Sequence, residues 1–151
     1  TPFLNCGISD ALHPRNVGRD HMPSRVNWVV QSSGVDFLHC LIVASETLFK
    51  QHGLWYRFMI SVHDEVHWIF EKENMHLACY LFQIAHLWVR AFFNYQCGFN
   101  DISETVAWFS GVDVDFTWRK APTKECLTPS NKFPIAPGLE VTMQQIVEKV
   151  K

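Results

Sequence analysis

The segment that most constrains the fold is Arg57–Phe70, RFMISVHDEVHWIF, in which two adjacent acids lie between two apolar runs. Apolar residues take every second position on both flanks, at Phe58, Ile60 and Val62 before the acids and at Val66, Trp68 and Phe70 after them. This alternation predicts two antiparallel strands joined by a very tight turn. The turn holds no Gly, Asn or Pro, so local turn chemistry does not account for it.

Asp64 and Glu65 are the two acids at the tip of this predicted hairpin. Carboxylates in apolar surroundings are costly unless water or a cation meets them, and Mg²⁺ prefers oxygen ligands. A divalent metal site is therefore the first hypothesis, although a solvated turn explains the spacing equally well. Because adjacent residues in a strand face opposite ways, we expect one direct ligand, Asp64, with Glu65 in support. The neighbouring His63 could contact a phosphate or a sugar.

The composition indicates a folded chain of about one domain. Its 151 residues are 48% hydrophobic and 14% aromatic, which is enough for a real core. The net charge of −2 gives no global electrostatic case for nucleic-acid binding. The five cysteines form no CxxC pair, which favours a reducing compartment over a disulfide framework or structural zinc. The start at Thr1, without Met, suggests a piece of a larger protein.

Two long helices are predicted on either side of the hairpin. The first begins with Ser24 as N-cap and runs to about Gln51, with Gly53 as its C′ residue. The second begins after Asn74, a good N-cap, and ends at Gly98. Its apolar residues cover most of the circumference, which predicts burial on several sides and suggests a missing partner. This longest apolar helix candidate contains a His and an Arg, so no membrane span is expected.

The last third of the chain gives weaker signals. Residues 104–110 are a strand candidate, and the Pro-, Thr- and Ser-rich residues 121–138 predict a surface loop. The Thr142-x-x-Gln145 spacing forms a capping box before a last helix. The predicted fold is therefore α+β: an antiparallel hairpin and a further strand packed against two long helices, with an irregular tail and short helix at 121–151.

Two further polar pairs are ambiguous from the residues alone. Asp113 and Asp115 form a second acidic pair, which we interpret as turn or cap residues. Asn27 and Gln31 are four apart and so share one helix face, for which a solvated surface is the favoured interpretation.

Several motifs occur in the order found in one enzyme family. SRVNWVVQSS, RFMISVHDEV, AWFSGVDVD and LTPSN follow one another along the chain. The chain resembles the C-terminal palm of family A DNA polymerases over nearly its whole length, and its sequence most resembles the mitochondrial branch of that family. HDE alone would be a weak signal, whereas HDE with the preceding helix and the later motifs is specific. The resemblance implies that residues 1–151 are the C-terminal part of a palm domain.

The resemblance also implies roles for the tip residues. Asp64 matches the catalytic aspartate that binds two Mg²⁺ ions, and Glu65 matches the acid that follows it in support. His63 matches a histidine near the primer 3′ terminus. The second carboxylate motif that two-metal chemistry needs is not identifiable in this sequence, so the site would be completed by a carboxylate outside the chain.

The first helix acquires a DNA-binding role by the same resemblance. Asn27 and Gln31 match amides that face the minor groove of newly formed base pairs. Minor-groove acceptors occur in every base pair, so such amides can check pair geometry without reading sequence. Arg25 matches a contact to the DNA backbone or template.

The implied function is that of a DNA-directed DNA polymerase, a nucleotidyltransferase of mitochondrial DNA replication. Its implied partners are primer-template DNA, dNTP, the remainder of the polymerase chain and an accessory processivity subunit. The 151-residue chain alone is expected to be inactive. Two alternatives stay open: a non-catalytic interaction module that keeps a degenerate hairpin, and a metal-dependent phosphohydrolase built on His63 and Asp64. The phosphohydrolase would need a second ligand cluster, which the sequence does not show.

Overall fold

The computed structural model describes residues 22–99, 101, 109–120 and 122–150. Within this part the chain forms three helices and three two-stranded antiparallel sheets, which pair β1 with β2, β3 with β6, and β4 with β5. The elements are α1 (Met22–Gln51), β1 (Tyr56–Val62), β2 (Glu65–Phe70), α2 (Met75–Gln96), β3 (Val112–Val114), β4 (Cys126–Thr128), β5 (Asn131–Ile135), β6 (Leu139–Val141) and α3 (Met143–Val150). The predicted α+β class is confirmed.

The predicted ends of α1 and α2 agree with the structure except at the start of α1, which begins at Met22, so that Ser24 lies within the helix and is not its N-cap. Gly53 has φ +66, and the amide of Leu54 donates to the carbonyl of Phe49 at 3.0 Å, which terminates α1 with the left-handed residue that glycine supplies. α2 starts after Asn74, but that side chain does not cap the helix. Its Nδ2 donates instead to Glu71 Oε2 at 3.1 Å, across a short 3₁₀ turn that precedes α2.

The predicted surface loop at 121–138 is wrong, because β4 and β5 form a hairpin there. Polar side chains stabilise its turn: the Asn131 amide donates to Thr128 Oγ1 at 3.1 Å, and the Phe133 amide donates to Asn131 Oδ1 at 3.1 Å. The Ser, Thr and Asn that suggested a loop therefore form the turn of a short, exposed sheet.

Only the end of the strand candidate at 104–110 lies among the described residues. Phe109 and Ser110 are described, and neither is in a strand. The capping box before α3 is confirmed: the Thr142 amide donates to Gln145 Oε1 at 2.9 Å, and the Gln145 amide donates to Thr142 Oγ1 at 3.4 Å.

The core lies around α2, which packs on α1 along one side and on α3 along another. Full burial of a Leu, Val, Ile or Phe side chain contributes about 1.5–3 kcal/mol to stability relative to leaving it exposed. The packing confirms burial on more than one side, yet Trp88 and Tyr95 of α2 are exposed. The buried residues form three clusters: Leu41, Ala44, Ala85 and Val89; Phe49, Leu54, Ala78 and Leu81; and Cys79, Val141 and Ile146.

The N-terminal half of α1 extends beyond this core. Val26, Trp28, Val30 and Val35 are all exposed there. Among the described residues, the segment Val26–Gln51 is the one helix long and apolar enough to cross a membrane, and Leu41, Ala44 and Phe49 within it are buried in the fold. The sequence-based prediction of no membrane span was made for α2, which contains His86 and Arg90. Core helices of soluble proteins meet the same criterion, so this finding is weak support for a span.

Candidate active site

The tip of the β1–β2 hairpin is a two-residue turn. Val62 pairs with Glu65, so His63 and Asp64 alone make the connection. His63 has φ +54, and it is the one non-glycine residue with positive φ in the described part of the chain. A positive φ at the first turn position matches the sign pattern of a type II′ turn, where glycine is usual. A non-glycine residue there costs about 1–2 kcal/mol, so the tip is strained.

A β-bulge in β1 changes which side chains share a face. Phe58 lies opposite Trp68 and Ile60 lies opposite His67, so Met59 is an extra residue. Paired residues share a face and neighbours on β2 do not, which puts Ile60 on the face opposite Phe58. The predicted alternation along β1 is therefore wrong beyond the bulge, because a period-two reading cannot register one inserted residue.

The base of the hairpin is anchored by aromatic packing. Phe49, at the end of α1, is fully buried. Its ring centroid lies 5.3 Å from that of Tyr56, 5.4 Å from that of Trp68 and 4.9 Å from that of Phe70. Each aromatic pair adds about 0.5–1.5 kcal/mol beyond the burial of its area. This cluster fixes the root of both strands, so the tip projects from a rigid base.

The outer face of β2 contacts the irregular segment Phe116–Lys120, which we call the strap. Lys120 Nζ lies 3.7 Å from Glu65 Oε1, and the rings of Trp118 and His67 form a T-shaped contact with centroids 5.9 Å apart. His67 Nε2 also lies 3.7 Å from Glu65 Oε2. Glu65 is thus engaged by two basic side chains, whereas the described residues offer Asp64 no hydrogen-bond or ion-pair partner and leave it exposed.

The predicted turn role of Asp115 is confirmed. Its Oδ1 accepts the amide of Thr117 at 2.9 Å, and its Oδ2 accepts Nε of Arg119 at 2.6 Å. The Arg119 guanidinium holds the pKa of Asp115 below its usual range, with help from the Thr117 amide. Arg119 also donates to the carbonyls of Lys124 at 3.0 Å, Ile135 at 3.3 Å and Ala136.

The same prediction is wrong for Asp113, which lies within β3 opposite Glu140. Partial burial raises the pKa of Asp113, as do the carboxylates of Glu140 and Glu65. Among the described residues no group of three or more His, Cys, Asp or Glu side chains is arranged to hold a metal ion. A magnesium site at Asp64 would thus need oxygen ligands from beyond the described residues.

The candidate DNA-binding residues lie on a different element from the tip. Asn27 and Gln31 are both exposed on the N-terminal half of α1 and share one helix face. At 1.5 Å per residue, Gln31 lies about 27 Å along the axis from Phe49, the residue that packs on the hairpin base. Arg25 is in the same helix, with its side chain outside the described structure. The structure does not bring these residues into contact with the tip.

Sequence reasoning missed two side chains of α2 that hold the chain just before β3. Gln83 and His86 are buried, and Gln83 Nε2 donates to the Ser110 carbonyl at 2.7 Å. His86 Nδ1 lies 2.8 Å from Ser110 Oγ, and burial lowers the pKa of His86, which favours the neutral ring. Two polar residues three apart on an apolar helix were the available signal, because buried polar groups require partners.

Comparison with known proteins finds relatives that align with the whole chain, although no family model matches it. It is 43% identical to DNA polymerase gamma of Schizosaccharomyces pombe over 152 residues, covering 100% of the chain and 15% of that protein. Identity to the Neurospora crassa protein named DNA polymerase gamma, mitochondrial, is 43%, over 99% of the chain and 10% of the relative. Identity to DNA polymerase subunit gamma-1 of Gallus gallus is 41%, over 100% of the chain and 24% of the relative. The chain therefore spans at most about a quarter of each of these relatives, and it is similar over its whole length to one segment of each of these DNA polymerase gamma proteins.

Proposed function

We propose that this chain is the C-terminal part of the palm domain of a mitochondrial DNA-directed DNA polymerase of family A. The enzyme would transfer a deoxynucleotidyl group from dNTP to a primer 3′ hydroxyl, with release of pyrophosphate. The observation that carries the proposal is the hairpin tip, where a strained two-residue turn leaves Asp64 exposed above a buried base. The whole chain aligns with one segment of polymerase gamma proteins, which supports the same proposal. An acid on a rigid element is positioned better than one on a loop.

The three tip residues take separate roles in this proposal. Asp64 is the ligand for Mg²⁺, because it is exposed and unengaged by the described residues. When bound, Mg²⁺ supplies charge neutralisation at the triphosphate and the attacking oxygen. Glu65 supports the tip, since its carboxylate is already shared with Lys120 and His67. His63 sits at the apex, where its ring can reach the primer terminus.

The exposed face of α1 supports a role in DNA contact. Asn27 and Gln31 carry amide donors on one exposed helix face, which suits the acceptors common to the minor groove of every base pair. Arg25, two residues before Asn27, would contact the backbone or template. Because the net charge of the chain is −2, most phosphate contacts would come from other parts of the polymerase.

The remainder of the polymerase chain is the proposed partner of the hairpin surface. Large apolar side chains on the outer face of both strands stay exposed, namely Ile60, Val62 and Ile69. An apolar sheet face of this kind calls for a covering layer. The rest of the palm would provide that layer together with the second metal-binding carboxylate. An accessory processivity subunit is a further proposed partner, and the mitochondrial location follows the name of the Neurospora relative.

Replacing the tip acid in the full-length polymerase tests the proposal. For Asp64→Asn we expect primer extension to fall by about a thousandfold, since losing roughly 4 kcal/mol of transition-state stabilisation corresponds to that factor. Primer-template affinity should stay within about threefold, because the side chain meets the metal rather than the DNA backbone. Glu73→Gln, at an exposed acid outside the tip, is the matched control. Unchanged extension by Asp64→Asn would refute the assignment and favour the interaction module.

A further inference from the structure

The strap runs alongside β2 in the opposite direction. Three alternate strap residues, Phe116, Trp118 and Lys120, contact the strand or the turn that follows it. The contacts therefore form a ladder of side chains along the outer face of the hairpin. They are Lys72 Nζ at 5.4 Å from the Phe116 ring centroid, Trp118 against His67 with centroids 5.9 Å apart, and Lys120 Nζ at 3.7 Å from Glu65 Oε1.

The strap is held firmly on its other side. Arg119 points away from the hairpin and is nearly buried, with its guanidinium bound to Asp115 and to three backbone carbonyls of the β4–β5 hairpin and its flanks. A Cβ built on Gly138 would lie 2.5 Å from Asp115 Oδ2, so the chain is closely covered there and only glycine fits. The charge-assisted hydrogen bonds of Arg119 are of a kind about twice as strong as hydrogen bonds between neutral groups.

The chain that leads into the strap is also fixed. Gln83 and His86 of α2 hold both the carbonyl and the hydroxyl of Ser110. The chain from Ser110 to Lys120 is thus tied to the helical core at its start and to the β4–β5 hairpin at its end. A segment held at both ends places its side chains at small entropic cost.

We propose that Trp118 and Lys120 of the strap are positioning residues for the catalytic tip. This inference rests on the proposed polymerase function of Asp64. Lys120 acts through Glu65, the residue directly after Asp64, and Trp118 acts through His67, one pleat further along β2. Together they fix the strand that carries the tip from its outer face, while the aromatic cluster around Phe49 fixes it from the inner face.

Lysine variants of the full-length polymerase test the charge contact. Lys120→Ala should raise the Mg²⁺ concentration for half-maximal primer extension and lower kcat, each by about two- to fivefold, the size expected for one exposed ion pair. The KM for primer-template should not change. Lys120→Arg keeps the charge and should restore both values to within about twofold. Lys132→Ala, at an exposed lysine on β5, should match the wild type.

Tryptophan variants test the ring contact independently. Trp118→Ala should lower kcat by about five- to tenfold, because an aromatic contact is worth roughly 1 kcal/mol and its loss frees the strand. Trp118→Phe retains a ring edge at His67 and should recover most of the rate. Thermal unfolding measured on the same variants separates loss of position from loss of fold.

The outcomes distinguish this inference from the function on which it rests. If Lys120→Ala behaves as Lys132→Ala does in both kcat and the Mg²⁺ titration, the strap is not a positioning element. If Lys120→Arg is as impaired as Lys120→Ala, the charge contact is refuted. Asp64→Asn, assayed in parallel, must abolish extension for the function to stand, so an active Asp64→Asn enzyme would overturn the function itself.

Discussion

The two ends of the β1–β2 hairpin are built on opposite principles. At the base, Phe49 is completely buried and three aromatic rings of the hairpin surround it. At the tip, His63 and Asp64 are exposed, and His63 adopts a left-handed backbone that its residue type disfavours. The base is stabilised by its own chain, whereas the described residues give the tip acid no partner. Packing at one end thus maintains, at the other, a conformation that local propensity does not favour.

The largest expected effect is on the base. Phe49→Ala should weaken local stability by about 3–5 kcal/mol, because it removes a buried aromatic side chain and leaves a cavity. Hydrogen–deuterium exchange of the full-length protein should show faster exchange across both strands of the hairpin. Val43→Ala, at an exposed position of α1, is the control and should change stability by less than about 0.5 kcal/mol. Equal exchange in the two variants would show that the base does not anchor the hairpin.

A smaller effect of opposite sign is expected at the tip. His63→Gly should stabilise the turn by up to about 1 kcal/mol, because glycine adopts a positive φ without strain. Exchange of the amides around the turn should slow, while primer extension should fall if the ring reaches the primer terminus. His63→Val, a β-branched residue, should instead destabilise the turn. Faster exchange in His63→Gly would contradict the strained-turn description.

The smallest expected effect is a pH dependence in the chain before β3, where His86 contacts Ser110. Burial lowers the pKa of His86 from 6.5, so the unfolded chain takes up the proton before the folded one does as pH falls. The stability contributed by this site is complete above pH 6.5 and is lost as pH falls through the lowered pKa. Protection of the amides near Ser110, corrected for intrinsic exchange rates, should decline across that interval.

The control for this pH dependence is His86→Gln, which removes the titrating group and can still hydrogen-bond to Ser110. Its protection should be flat over the same interval. A decline of equal slope in His86→Gln would assign the effect to another group.

Local signals were enough to predict much of this fold. The end of α1 at Gly53, the start of α2 after Asn74 and the capping box at Thr142 each depend on residues within one turn of each other. The β4–β5 hairpin was missed because its short, exposed strands carry no clear alternation, and the β3–β6 pair was missed because three residues per strand, VDV and LEV, are too few for alternation to specify a strand.

The candidate site divides in the same way. The flanking alternation predicted a tight turn with Asp64 and Glu65 at its tip, whereas the turn is formed by His63 and Asp64 and Glu65 is the first residue of β2. The contacts of Lys120 and Trp118 with β2 could not be predicted, since they join positions far apart in the chain. Arg119 was equally hidden: its role depends on carbonyl groups, which every residue has and no sequence pattern marks.

The bulge at Met59 affects the bend of β1 but not the pairing of β1 with β2. Without that residue, Phe58 could still lie opposite Trp68 and Ile60 opposite His67, so the pairing down to the turn would survive. The local bend and extra twist that a bulge imposes would be lost. The strand would straighten, and the carboxylate of Asp64 would project along another line. At this position the number of residues in β1 therefore sets the direction in which the turn presents Asp64.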